Sequence, residues 1–71
     1  MSRAMNVTAN KTEVTAMCAK HSANISAIET LLSGGTRVVL NNGDDADTIR
    51  HAFRTKIING PVVRSMWVRN G

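Results

Sequence analysis

Residues 31–38, LLSGGTRV, admit two readings. In the first, Leu31, Leu32 and Ser33 close a helix, and Gly34-Gly35 is its stop. In the second, the glycines form the two-residue turn of a β-hairpin that pairs Leu31 with Val38. That register also sets Glu29 opposite Leu40 and Leu32 opposite Arg37, which are poor pairs on a half-buried sheet. The preceding residues favour the helix. Residues 10–33 contain no Gly or Pro, and Val14, Cys18, His21, Ile25, Ile28 and Leu32 recur in alternating steps of four and three. That alternation is the spacing of a coiled-coil seam. Met17 and Leu31 widen the stripe, and Asn10 followed by Glu13 offers a capping box. The helical reading is therefore preferred. It spans residues 10–33 as one helix of about 34 Å, or as two helices, 11–21 and 25–33. The break would fall at Ser22, Asn24 and Ser26, three residues better suited to caps than to helix interiors.

Downstream, the pattern changes to strand, helix, strand. Residues 36–40 alternate, with Val38 and Leu40 on one face and Arg37 and Val39 on the other. Asn41-Asn42-Gly43 reads as a turn. The next stretch, residues 42–60, is NGDDADTIRHAFRTKIING. Asp44 is the expected N-cap and Asp47 its partner three residues on. Ala46, Ile49, Ala52, Phe53 and Ile57 make one apolar face. Asn59-Gly60 is the expected stop, and Pro61 blocks continuation. Residues 62–68 alternate again and form the expected last strand, joined to the first as a parallel pair across the helix. Residues 1–9 lack periodicity and are expected to be disordered, leaving residues 10–71 as a single small domain. The fold class is α+β, or a small α/β variant: a long or broken N-terminal helix, a strand, a capped helix and a C-terminal strand.

Composition narrows the possible functions. A chain of 71 residues buries only about 60% of its unfolded surface, so a partner subunit would help its stability. The single cysteine, Cys18, permits no intramolecular disulfide, which argues against a stapled secreted domain and for a reducing compartment. No apolar run is long enough to cross a bilayer, and no apolar segment follows Arg3 as a signal peptide would require. A cytoplasmic protein without membrane contact is expected. A homodimer is expected to form along the seam of Val14, Cys18, His21, Ile25, Ile28 and Leu32. Trp67 is read as a plug for a small core, with an interface anchor as the alternative.

The formal net charge is +4, and its distribution is uneven. No acidic residue follows Asp47, whereas Arg50, Arg54, Lys56, Arg64 and Arg69 do. Such asymmetry points to nucleic acid or an acidic protein as partner. Arg50 and Arg54 lie four apart on one helix face, with His51 beside them and Lys56 close by. With Arg37 and Arg64 they form the candidate contact set. The paucity of aromatics, Phe53 and Trp67 alone, argues against a single-strand binder that stacks successive bases.

The remaining constellations have simpler explanations. Cys18 and His21 could supply half of a zinc site, but a small buried thiol beside a seam histidine accounts for them. Asp44, Asp45 and Asp47 lack the spacing of a calcium loop and read as helix-capping acids. Residues 33–36 contain glycines but lead into a strand, unlike a phosphate-binding loop. No metal, cofactor or catalytic residues are therefore assigned. In size, basic character and lack of catalytic signal the chain resembles small bacterial or phage accessory proteins, a similarity of size class that carries no residue role. The expected function is a non-enzymatic binding or regulatory module that contacts nucleic acid or an acidic partner through a basic helix face. The alternative is a protein–protein interaction module or inhibitor that uses apolar surface on the N-terminal helix and last strand.

Overall fold

The computed structural model describes residues 3–63. Its elements run β1 (Ala4–Val7), α1 (Lys11–Lys20), β2 (Ile25–Thr30), β3 (Thr36–Leu40) and α2 (Gly43–Ala52). The strands form one antiparallel sheet in the order β1-β3-β2. β1 and β2 are thus joined through α1 and separated in the sheet by β3. The chain after α2 returns to the outer side of β1, where Ile57 bridges Val7 in antiparallel sense. Lys56 accepts from Thr8 N at 2.9 Å, and Ile58 N donates to Asn6 at 2.8 Å. The path is that of two interleaved split β-α-β units, the second reduced to a single bridge. The fold is α+β, and the expected parallel pair is absent among the described residues.

β1 corrects the expectation of a disordered start. Met5 and Val7 alternate with half-buried Ala4 and Asn6, and Val7 is fully buried. The strand is only four residues long and is held by partners thirty residues away, Met5 opposite Val38 and Val7 opposite Thr36. Local periodicity carries little trace of such a strand.

α1 begins where expected. Asn10 caps it, accepting from Glu13 N at 2.7 Å. The Glu13 carboxylate does not complete a capping box; it reaches Lys56 at 3.0 Å. The helix stops at Lys20, near the end of the shorter helical alternative. Ser22 sits at φ 57°, with its N–H donating to Ala19 at 3.2 Å and the Ala23 N–H donating to Cys18 at 2.8 Å. That pair of bonds is a Schellman stop with serine in the left-handed position that glycine usually fills.

Residues 25–40 form the hairpin, which overturns the preferred helical reading of residues 25–33. The turn is not the expected two-residue one. Thr30 pairs with Thr36 and Ile28 with Val38, so residues 31–35 form a five-residue loop. Glu29 lies opposite Arg37 rather than Leu40, and the unfavourable pairings disappear with the register that produced them. A bulge between Ile25 and Ala27 adds an odd residue to β2. Ile25 therefore faces Leu40 while Ile28 faces Val38, and both pack against the same core. A spacing of three on one face looks helical; here it is a strand with a bulge. Gly34 and Gly35 take φ 103° and 88°, and a Cβ on Gly35 would overlap the Val7 carbonyl oxygen. The second glycine is thus required for both its backbone angle and its close approach.

β3 has the expected bounds and faces. Thr36, Val38 and Leu40 are fully buried, whereas Arg37 and Val39 are half-buried. The Thr36 hydroxyl donates to Ala9 O at 2.8 Å, which satisfies the polar group inside the core. Val7, Val14, Cys18, Val38, Leu40, Ile49 and Phe53 make most of that core, and it lies between the sheet and the two helices.

α2 is present but shifted at both ends. Asn42, not Asp44, is the N-cap, accepting from Asp45 N at 2.8 Å. Asp47 pairs instead with Arg50 at 3.0 Å. At the other end Phe53 is the C-cap, well before Asn59-Gly60. Phe53 is locked in the core at 2% exposure, and the following backbone turns to bond β1. Those edge bonds replace the further helical turn that the sequence pattern suggested. The expected strand over residues 62–68 lies, from Arg64 onward, outside the described residues, and Trp67 with it.

Candidate functional site

Among the described residues, the basic side chains after Asp47 belong to the last turn of α2 and the few residues that follow it. Arg50 lies on the last turn and is paired with Asp47. His51 is exposed. Arg54 is exposed, and both its backbone N–H and its guanidinium donate to the His51 carbonyl, at 3.2 and 3.1 Å. This is where a cation complements the negative end of a helix dipole. Lys56 follows, bonded to Glu13 in the first turn of α1. The Arg50–Asp47 and Lys56–Glu13 pairs keep 34–55% of their side-chain surface in solvent. Exposed pairs of this kind contribute at most about 1 kcal/mol, so an incoming anion can take Lys56 over from Glu13 at small cost. Arg54 has no carboxylate partner among the described residues.

The other expected contact residues are not part of this cluster. Arg37 lies on the far face of the sheet, between Asn6 and Glu29 in neighbouring strands. Arg64 is outside the described residues. Of the expected set, the structure brings together Arg50, Arg54 and Lys56.

The six residues of the expected dimer seam do not line one helix. Val14 and Cys18 are core residues of α1, His21 is its exposed C-cap, and Ile25 and Ile28 belong to β2. Leu32 lies in the hairpin loop, 61% exposed. The six residues are thus divided among a helix, a cap, a strand and a loop, and they share no helical stripe. Burial, and after it the negative charge of Asp45, push the Cys18 thiol above its ordinary pKa. A thiol held protonated in the core is a poor nucleophile and a poor metal ligand, and its companion His21 points outward. Among the described residues no three His, Cys, Asp or Glu side chains converge, and no helix is long and apolar enough to cross a membrane.

Three features had little or no signal in the sequence. Asp45, read as a capping acid, also accepts from the Asn24 N–H at 3.1 Å and so ties α2 to the link between α1 and β2. Leu32 and Val63, the large apolar side chains most exposed among the described residues, are joined by a 2.7 Å bond from Leu32 N to Val63 O. A shallow open groove of about 530 Å³ runs along Lys11, Thr12, Thr15, Ala16 and Ala19 of α1. Compared with protein-family models, curated proteins and solved structures, the chain matches none of them.

Proposed function

We propose that the protein is a small non-enzymatic binding module that contacts a polyanion, nucleic acid first, through the C-terminal end of α2. The observation that carries this reading is the grouping of Arg50, Arg54 and Lys56 at one helix end, with the Arg54 guanidinium held by a backbone carbonyl and exposed. A guanidinium fixed in this way presents its remaining donors in the planar fork that phosphate oxygens accept. Arg50 and Lys56 add charge once their surface partners yield. Arg37 is left out of the proposed surface, because it lies across the sheet.

Fluorescence anisotropy with short labelled DNA and RNA, single- and double-stranded, tests the reading. Binding is expected to weaken steeply with salt, and Arg50→Gln/Arg54→Gln is expected to weaken it for every sequence and to lower the salt slope by about two. Absence of binding by the unaltered protein at low salt would overturn it.

The exposed Leu32–Val63 pair supports a second reading, a protein-interaction module or inhibitor whose apolar contact lies at the hairpin loop instead of on a helical seam. Its complex would be nearly insensitive to salt and would be lost with Leu32→Asp.

A further inference from the structure

The sequence holds two Asn-Gly pairs within the described residues, Asn42-Gly43 and Asn59-Gly60, and the fold treats them in opposite ways. Asn42 caps α2. Its side-chain oxygen accepts from Asp45 N at 2.8 Å, and its amide donates to Asp45 Oδ2 at 3.3 Å. Asn59 is exposed and makes no hydrogen bond to another described residue. Gly60 is exposed as well, with open space where a Cβ would stand. The pair bridges two anchored points, Ile58 bonded to Asn6 and Val63 bonded to Ser33.

We propose that Asn59 is a site of spontaneous deamidation in the folded protein and that Asn42 is protected by its role as a cap. The Gly60 backbone nitrogen, once deprotonated by hydroxide, attacks the Asn59 side-chain carbonyl carbon. The new N–C bond closes a five-membered imide as the C–Nδ2 bond breaks and ammonia departs. Water then opens the ring at either carbonyl, giving aspartate or its β-linked isomer. No oxidant or reductant is needed. Glycine matters because no side chain crowds the attacking nitrogen. The same attack at Asn42 first requires release of both bonds to Asp45 and fraying of the first turn of α2. Each conversion adds one negative charge three residues from Lys56, and the β-linked product lengthens the main chain between the two anchors.

The test is incubation of the intact protein at neutral and mildly alkaline pH, followed by peptide mapping that separates aspartate and β-linked products. The peptide containing Asn59 is expected to convert at least about tenfold faster than the one containing Asn42, a ratio that corresponds to about 1.4 kcal/mol in barrier. The rate is expected to rise with pH, and the difference is expected to collapse in urea. Asn59→Gln, which cannot close the five-membered ring, is expected to remove conversion at that position. Equal rates for the two pairs in the folded protein, or a ratio that persists unchanged in urea, would overturn the proposal.

Discussion

The two faces of the sheet are built from the same three strands and have little else in common. On the covered face Met5, Val7, Thr36, Val38 and Leu40 are 0–6% exposed, beneath α1 and α2. On the open face Ala4, Asn6, Arg37, Val39 and Glu29 are half-buried, and Ala27 is exposed. The rows across the open face are Ala4–Val39–Ala27 and Asn6–Arg37–Glu29. One face spends its apolar side chains on a core; the other mixes small, polar and charged groups. The buried Asn6 Oδ1 has no hydrogen-bond partner among the described residues, whereas the buried Thr36 hydroxyl of the covered face is satisfied by Ala9. Because side chains alternate along a strand, register alone assigns each residue to one face or the other. Stability is therefore expected to reside on the covered face, and substitutions on the open face are expected to be cheap.

The largest contrast compares neighbours on β3. Leu40 is fully buried, and Leu40→Ala is expected to cost about 2–5 kcal/mol, enough to unfold much of so small a domain. Val39→Ala, one residue earlier on the open face, is expected to cost about 0.5 kcal/mol. Denaturant titration of both measures the difference, and equal losses would mean that the faces are not distinct. The cap of α2 gives an intermediate effect, because the helix roofs the covered face. Asn42→Ala is expected to cost about 1 kcal/mol, the usual loss for an N-cap. Asp44→Ala, which lacks the cap position, is expected to stay within about 0.5 kcal/mol. A larger loss at Asp44 than at Asn42 would move the start of the helix. The smallest effect is expected at Arg37, where Arg37→Gln leaves both stability and the proposed polyanion contact nearly unchanged.

Legibility in the sequence followed the range of the interactions. β3 was readable with its bounds and faces, because its alternation is local. The start of α1 was readable from Asn10, and the existence of α2 from Ala46, Ile49 and Phe53. The exact cap was not, since Asn42 and Asp44 are both good caps two residues apart and only the geometry at Asp45 separates them. β2 was misread for a physical reason: its bulge puts Ile25 and Ile28 on one face, and α1 had already supplied Val14 and Cys18 at helical spacing. β1 was missed because four residues whose partners lie far along the chain leave no periodic trace. At the candidate site the i, i+4 spacing of Arg50 and Arg54 was visible. The Lys56–Glu13 contact, the separation of Arg37 from the cluster and the exposure of Leu32 all depended on the hairpin.

The hairpin is therefore the claim on which the rest stands, and backbone nuclear Overhauser effects test it most directly. Cross-strand contacts from Ile28 to Val38 and from Met5 to Val38 are expected, as the register requires, with slowly exchanging amides along β3. Continuous sequential amide–amide contacts through residues 25–33, with no contact from Ile28 to Val38, would contradict it and restore the long helix.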